Sequence, residues 1–424
     1  MKRFIRAVCL ILLLAAGSCG IAKAQHALTW DEVKARFESE NPTLLADKLT
    51  IDESKAQEIT AFLRPNPGVA LAADGTQISR YKGVWRPFAG TYETPSISYL
   101  HERQHKRELR LESAQKGTLI AESSHADLDR TLLFSLRGGF VATLQAKAWL
   151  QLAKENLAYY DHVLEISSDR FKAGDIAQID LDRLELQRVQ YESDVQTAEV
   201  NLRTAKIQLL TLLNDRTPIE QFDVAGPFDF SDQLLPQDEF RKIALDTRPD
   251  LRAAMEALDK AQTDHKLAVA NGSTDPTLSA WYTHNSSNNN PFGINTLGVS
   301  VAIPLRIFDR NQGEKLRTQL DIDRNEKLTE AARAQVFSDV DSAYAVVNSN
   351  VILLQPYKTK YLQQAVRVRD TVFFAYQHGG ASLLDFLNAQ SDYRTVEVSY
   401  VNLVGSYLTA AAQLNLAVGR EVIQ

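Results

Sequence analysis

The sequence predicts a mainly α-helical protein that also contains a small amount of β structure. Three observations support this fold class. The segment 101–171 contains no proline and only three glycines, which is typical of a very long helix. The segment 297–305 alternates large apolar residues with small ones, as a strand does when its faces meet different surroundings. The same order of predicted helices and strands then occurs twice along the 424 residues.

Residues 1–24 are predicted to be a removable secretory signal. Three basic residues lie within the first six positions, residues 7–17 are apolar, and Ala22-Lys23-Ala24 matches a small-residue cleavage site. The apolar core is shorter than the roughly 20 residues that a membrane-spanning helix needs. Lipid attachment at Cys19 is the alternative interpretation of this segment. Both interpretations predict an exported protein.

The composition excludes several classes of function. The chain has 47 Lys and Arg against 53 Asp and Glu, and its formal net charge is -6; without the four basic residues of the signal it is -10. We therefore expect no nucleic-acid partner, because such binding needs a basic face. The only cysteines, Cys9 and Cys19, belong to the signal. The mature chain is thus predicted to have no disulfides and no thiolate metal site.

The rest of the chain is predicted to contain two related repeats. We assign residues 25–220 to the first repeat, 221–236 to a linker and 237–420 to the second repeat. Each repeat begins with a short helix that ends at a proline, and these prolines, Pro42 and Pro249, lie 207 positions apart. Each repeat then continues through a second helix, two strands and a long helical hairpin.

Two pairs of strands are expected, one in each repeat. The strands are predicted at 68–73, 96–100, 277–284 and 297–305. Leu297, Val299 and Val301 share one face of the last strand with Ile303 and Leu305, and small residues lie on the other face. This pattern suits a strand between lipid and a wet lumen, and a half-buried sheet of a soluble protein is the alternative.

The turns of the two predicted hairpins match each other. The hairpin helices are expected at 101–171 with 176–213, and at 311–376 with 382–418. Gly174 and Gly379 lie 205 positions apart, and so do Asp180 and Asp385. Glycine supplies the positive φ that ends a helix, and an aspartate stabilises the first turn of the next helix. Helix capping alone would explain all four residues.

These features together resemble the TolC family of outer-membrane efflux proteins. The resemblance rests on the duplicated order of elements and on the turn sequences R-F-K-A-G-D, at 170–175, and L-L-D-F-L-N-A-Q, at 383–390. The stretch 297–313 is similar to the divalent-cation (CzcC-like) branch of the family. The resemblance covers about residues 27–420 of the chain.

The resemblance implies an assembly as well as a fold. It implies a homotrimer in which each protomer gives four strands to one twelve-stranded transmembrane β-barrel, while the long helical hairpins form an α-barrel across the periplasm. Loops 75–94 and 284–296 would face outside, and the turns at Gly174 and Gly379 would form the periplasmic tip. Physical chemistry independently favours the trimer, because four strands alone would leave open edges in lipid.

The resemblance also implies a gate at this tip. Asp180 and Tyr376 match two positions whose side chains bond in closed family members, and Asp385 matches the first of two acidic positions. The second acidic position is Asn388 here, and the arginine that completes the latch is replaced by Ala381. The gate candidates are thus Asp180, Tyr376, Asp385 and Asn388. The residues assigned to the tip and to adaptor docking are Gly174, Asp175, Gly379 and Gly380.

One motif favours an enzyme and has to be weighed separately. His101-Glu102-Arg103-Gln104-His105 reads H-E-x-x-H, which on a helix would place two zinc ligands on one face with Glu102 as general base. An exported zinc metallopeptidase is therefore a remote alternative. The cations in and after the motif argue against a buried catalytic helix, and no third ligand stands at the expected Leu111.

The predicted function is a passive exit duct of the outer membrane that extends into the periplasm. It would be the channel of a tripartite efflux system for metal ions or small toxic compounds, with a periplasmic adaptor (membrane fusion) protein, an RND-type inner-membrane pump and outer-membrane lipid as partners. No phosphate-binding loop, catalytic triad or ATPase motif is present, so we expect neither enzyme activity nor a cofactor. A non-conducting periplasmic coiled-coil adaptor or scaffold is the alternative function.

Overall fold

A computed structural model describes residues 27–285 and 294–423 of the chain. The predicted signal, Cys19 and most of the predicted outer loop 284–296 lie outside the described residues. The described chain divides into two compact units. Unit 1 holds residues 27–42, 132–234 and 345–413, and unit 2 holds residues 43–131, 235–344 and 414–423.

The described elements follow the duplicated order that the sequence predicts. In chain order they are α1 Trp30–Glu40, α2 Pro42–Phe62, β1 Gly68–Asp74, β2 Tyr92–Leu100, α3 Lys106–Ala173, α4 Gln178–Leu212, α5 Gln237–Thr247, α6 Pro249–Asn271, β3 Thr277–Asn285, β4 Asn295–Ala302, α7 Gln312–Pro356, α8 Leu362–Gln377 and α9 Leu383–Val418. A π-helical turn, Tyr357–Tyr361, joins α7 to α8. The repeat boundaries at 25–220 and 237–420 stay a prediction, since both compact units contain parts of each repeat.

The short helices end for the reason that the sequence indicates. Asn41 and Arg248, which precede Pro42 and Pro249, have almost the same extended backbone, with φ/ψ of -70°/117° and -69°/119°. A residue before proline avoids the helical region because the proline ring collides with its backbone. The chain therefore leaves one helix and starts the next at the same point of each repeat.

The predicted helix over 311–376 contains an irregularity. Pro356 ends α7, and the next five residues form the π-helical turn. Proline has no backbone N–H, so the carbonyl one turn earlier loses its helical partner and the spacing of the turn widens. The helical character continues beyond this point to Gln377.

Unit 2 contains a four-stranded antiparallel sheet in the order β1-β2-β3-β4. β4 ends at Ala302, which pairs with Thr277, the first residue of β3. The prediction that this strand continues to Leu305 was therefore wrong, because residues 303–305 have no partner on β3 and Pro304 lacks an N–H. The outer sides of β1 and β4 have no partner strand among the described residues.

The two faces of the sheet differ in chemistry. The register aligns Val69, Ile97, Ala280 and Val299 across one face, together with Leu71, Leu278, Tyr282, Leu297 and Val301. The opposite face carries mainly small or polar residues, among them Ala70, Ser96, Ser98, Ser279, Thr283, Thr296 and Ser300. Apolar residues of the first face are largely exposed, and Val69, Leu297 and Val299 each keep more than three quarters of their surface. None of the helices in the described residues is long and apolar enough to cross a membrane.

Candidate functional site

The turns between α3 and α4 and between α8 and α9, both in unit 1, have the same geometry. Gly174 has φ +84° and Gly379 has φ +74°. In each turn the next residue, Asp175 or Gly380, donates its N–H to the carbonyl oxygen five residues earlier, at 2.9 and 2.7 Å. No other atom lies within 4 Å of a Cβ placed on either glycine, so the positive φ, rather than lack of space, requires glycine. The matching turns that the sequence predicts are present.

The aspartates that follow these turns have different surroundings. Asp385 forms a capping box with Ser382, accepting from its N–H at 3.0 Å and its hydroxyl at 2.7 Å. These hydrogen bonds lower the pKa of Asp385 below its ordinary value. Asp180 has no such partner at Ala177, and its nearest cation is Arg183 at 4.0 Å. Asp385 thus caps its helix, whereas the carboxylate of Asp180 is held less firmly.

Tyr376 does not bond to Asp180 in this structure. Its ring is 6% exposed and stacks on Phe386 with centroids 5.6 Å apart and planes inclined by 16°. The guanidinium of Arg170 lies 5.1 Å from the ring centre and donates to the Tyr376 carbonyl oxygen at 3.1 Å. The Tyr376 hydroxyl is buried beside the hydroxyl of Ser167. Burial raises the pKa of Tyr376, and Ser167 lowers it in part. Packing against Phe386 and Arg170 holds Tyr376 in this structure, and the latch that the resemblance implies stays a prediction.

Tyr376 belongs to an aromatic cluster that joins four helices of unit 1. Tyr160 of α3 stacks on Tyr191 of α4, with ring centres 4.6 Å apart. Phe373 of α8 contacts Phe386 of α9 at 5.2 Å and Tyr159 of α3 at 6.0 Å. Aromatic pairs at such distances contribute about 1 kcal/mol each beyond their buried area. The cluster therefore holds the two hairpins of unit 1 together beside their turns.

Two arginines extend this contact between the hairpins. Arg369 of α8 lies between the rings of Tyr159 and Tyr393, at 4.4 and 4.1 Å from their centres. Arg394 of α9 forms a 2.6 Å ion pair with Asp194 of α4. A guanidinium both stacks on aromatic rings and bonds to carboxylates, which lysine does less well. These contacts fix the hairpins along several turns.

Glu397 is the acidic residue most affected by burial in this region. It accepts a hydrogen bond from the Tyr393 hydroxyl, while its Oε2 is buried without a partner among the described residues. Burial raises the pKa of Glu397, and the lowering effects of Tyr393 and Arg369 do not offset it. Asn388 and Asp385, by contrast, are exposed near the turn.

A cavity of about 410 Å³ lies between α3, α4 and α9 within unit 1. Its lining combines small side chains with aromatic, amide and charged ones, including Ala146, Ala198, Trp149, Asn156, Asp194 and Arg394. Among the described residues, no three His, Cys, Asp or Glu side chains are grouped so that they would hold a metal ion.

The comparison with protein families identifies the second half of the chain. Residues 241–420 match the model of the outer membrane efflux protein family. Residues 241–420 are an outer membrane efflux protein domain. This efflux-protein domain contains the second turn with Tyr376, Gly379 and Asp385, while Gly174 and Asp180 precede it.

Relatives resemble the chain over most of its length. The cobalt-zinc-cadmium resistance protein CzcC of Cupriavidus metallidurans is 22% identical over 399 residues, covering 94% of this chain and 91% of that protein. The pyoverdine export outer membrane protein OpmQ of Pseudomonas aeruginosa is 25% identical over 338 residues, covering 76% of this chain and 69% of that protein.

Solved structures show that the chain has the fold of known channel proteins. CusC superposes with a TM-score of 0.77 at 18% identity, covering 92% of both chains. The MtrE outer membrane channel of Neisseria gonorrhoeae superposes with a TM-score of 0.73 at 18% identity, covering 93% of this chain and 89% of that one. The predicted fold class, long helices with a small antiparallel sheet, is confirmed.

The H-E-x-x-H motif at 101–105 does not form a zinc site. Gln104 and His105 have φ of +58° and +53°, and α3 begins only at Lys106. His101 and His105 therefore do not lie on one helical face. Glu102 forms a 2.5 Å ion pair with Arg110 and is not available as a general base. The motif is a strand-to-helix junction of unit 2.

Proposed function

We propose that this protein is the outer-membrane channel of a tripartite efflux system. It forms a passive duct through which metal ions or small toxic compounds leave the periplasm. The observation that carries this proposal is the four-stranded sheet of unit 2, whose apolar face is exposed and whose two edges have no partner strand among the described residues. The outer membrane efflux protein domain agrees with it.

The sheet chemistry favours a location in lipid. An exposed apolar face of this extent is unfavourable in water, and small or polar residues on the other face suit a wet lumen. β2 and β3 have nine residues each, which is the length that a tilted strand needs to span a bilayer. This supports placement of the sheet in the outer membrane.

The unpaired edges favour a trimer. An edge strand in lipid leaves backbone N–H and C=O groups without hydrogen bonds, each at a cost of several kcal/mol. Three copies that each give four strands to one closed sheet satisfy all of these groups. Membrane insertion and trimer formation are therefore one step in this proposal.

The turns of unit 1 are proposed as the periplasmic end of the duct. Gly174, Asp175, Gly379 and Gly380 are exposed and form the surface for a periplasmic adaptor, which connects the duct to an RND-type pump. Asp180 and Asp385 are the acidic groups of the gate, and Asn388 contributes no charge there. Tyr376 acts in this gate through packing against Phe386 and Arg170.

Conductance and mass of the purified protein test this proposal. Reconstitution into planar bilayers is expected to give discrete ion-conducting steps, and light scattering in detergent is expected to give three times the mass of the mature chain. A monomer without conductance, even after Arg170→Ala at the turns, would favour the alternative of a periplasmic adaptor or scaffold. Whether cobalt, zinc or an organic compound is exported is tested by the resistance that the gene gives to each.

A further inference from the structure

The loop between β1 and β2 is folded around one glutamine. Residues 75–91 leave the sheet after Asp74 and return at Tyr92, which pairs with Asp74. Gln77 donates its backbone N–H to the Pro87 carbonyl at 3.0 Å and its side-chain amide to the Val84 carbonyl at 3.0 Å. Its side-chain oxygen accepts from the backbone N–H of residue 86 at 2.7 Å. The loop therefore satisfies much of its own backbone and keeps a defined shape.

This ordered loop directs its large apolar side chains outward. Ile78 is 91% exposed, Phe88 74%, Tyr81 71% and Trp85 49%. In a loop surrounded by water, four exposed apolar side chains of this size are unfavourable, and they would normally pack inward or be replaced by polar residues. Their exposure indicates a surface that meets something apolar.

The same loop carries only positive charge. Arg80, Lys82 and Arg86 are exposed, and residues 75–91 contain no Asp or Glu. None of the three cations forms an ion pair with a carboxylate among the described residues. The mature chain is acidic overall, so this concentration of positive charge is opposite in sign to the rest of the protein.

We propose that loop 75–91 binds the phosphate groups of lipid A in the outer leaflet of the membrane. Tryptophan and tyrosine prefer the boundary between lipid and water, and cations beside them meet anionic headgroups there. A protein partner is less favoured, because the loop is continuous with the apolar face of β1 and β2. If lipid covers the apolar face of β1 and β2, the surface of the membrane lies at the level of this loop. The inference rests on the proposed outer-membrane location.

Binding of lipid A with and without its phosphates tests the inference. Purified full-length protein in detergent is titrated with bisphosphorylated lipid A and with its dephosphorylated form, and bound lipid is measured by native mass spectrometry. One variant carries Arg80→Gln, Lys82→Gln and Arg86→Gln. A matched control carries Lys48→Gln, Lys266→Gln and Arg333→Gln, three exposed cations on helices of unit 2. Both variants are assayed for conductance in planar bilayers.

Wild-type protein and the helix control are expected to prefer the phosphorylated lipid. The loop variant should bind it about 100-fold more weakly, since each cation near an anionic surface contributes roughly fivefold, and it should conduct like wild type. Equal wild-type binding of both lipids, or an equal loss in the helix control, would overturn the inference while a conducting channel leaves the proposed function standing. Absence of conductance in every protein would instead count against the proposed function.

Discussion

The guanidinium of Arg170 lies 5.1 Å from the centre of the Tyr376 ring and donates a 3.1 Å hydrogen bond to the Tyr376 carbonyl oxygen. One side chain thus connects the last turn of α3 to the last turn of α8. In the second repeat, the position equivalent to Arg170 by the offset of 205 is Ala375. The second hairpin therefore has no arginine that makes the equivalent contact. The two turns differ in the contacts that stabilise them.

Replacing Arg170 with alanine is expected to loosen the end of α8. The change removes a partly buried cation–π contact and a hydrogen bond from a charged donor, together about 2 kcal/mol. Amides in 371–380 should then exchange hydrogen about 30-fold faster, because local opening becomes easier by that free energy. Hydrogen exchange with mass spectrometry measures this. Arg183→Ala, on an exposed side chain 4.0 Å from Asp180, is the control, and equal protection in both variants would contradict the role of Arg170.

Tyr376→Phe is expected to change little, which separates packing from a latch. Among the described residues, the hydroxyl contacts only the neutral hydroxyl of Ser167, so its loss should alter the free energy of unfolding by no more than about 1 kcal/mol. Tyr376→Ala should cost about 3–5 kcal/mol, because it leaves a cavity beside Phe386. Thermal unfolding and single-channel conductance measure both variants. Increased conductance of Tyr376→Phe, matched by Asp180→Asn, would instead support a bond between Tyr376 and Asp180.

Local chain geometry could be predicted from the sequence. Gly174 and Gly379 occupy helix ends with positive φ, and Pro42 and Pro249 mark helix starts, because each of these residues restricts its own backbone. The alternation around Leu297 likewise predicted a strand with one apolar face. Its last residues were missed because the end of β4 depends on where β3 begins, which is information from another part of the chain.

The contacts of the candidate site could not be predicted in this way. Tyr160 and Tyr376 are more than 200 positions apart in the sequence, yet both lie in one buried cluster of unit 1. Spacing along a helix indicates which face is apolar but not which distant face it meets. The capping role of Asp385 is an exception, because it depends on the nearby Ser382. The S-x-x-D pattern that these two residues form is a sequence signal of a helix start.

The junction between β2 and α3 is predicted to depend on one buried ion pair. Lys106 is 4% exposed and bonds to Asp275 at 2.6 Å and to the Ser273 carbonyl at 3.1 Å. Asp275→Asn would leave a buried ammonium without its counter-charge, which costs about 3–5 kcal/mol. Thermal unfolding at pH 7 measures the loss. Asp259→Asn, on an exposed position of α6, should unfold like wild type, and equal stability of both variants would contradict the prediction.

The same ion pair predicts a loss of stability in acid. Burial alone would raise the pKa of Asp275, but hydrogen bonds from Lys106 and from the Arg103 amide hold it below its ordinary value. A carboxyl with a lowered pKa stabilises the fold above its unfolded pKa of about 4 and loses this effect as pH falls through the folded pKa. The difference in unfolding temperature between wild type and Asp275→Asn should therefore shrink below about pH 4. A difference that stays constant with pH would contradict this.

Glu397→Gln is expected to stabilise unit 1 at neutral pH. Burial raises the pKa of Glu397, so its charged form is less favourable in the folded chain than in the unfolded one, and stability rises as pH falls towards the folded pKa. Glutamine keeps the oxygen that accepts from Tyr393 and removes the charge. The unfolding temperature should increase at pH 7 and remain near wild type at acidic pH. Asp392→Asn, on an exposed position of α9, is the control, and a similar increase there would show a general charge effect.

Arginine substitutions on the two faces of β4 are expected to have opposite outcomes. Val299 and Ser300 are neighbours and both are exposed, but they lie on the apolar and the small-residue face respectively. In water, both substitutions would be tolerated equally. In a bilayer, Val299→Arg costs about 2–4 kcal/mol near the midplane, whereas Ser300→Arg faces an aqueous lumen. The fraction of each variant in outer-membrane preparations, with trimer content measured in detergent, decides between these cases. Val299 and Ser300 are both exposed, so only contact with lipid on one face would make the two variants differ. Equal recovery of both variants would therefore mean that the apolar face does not contact lipid.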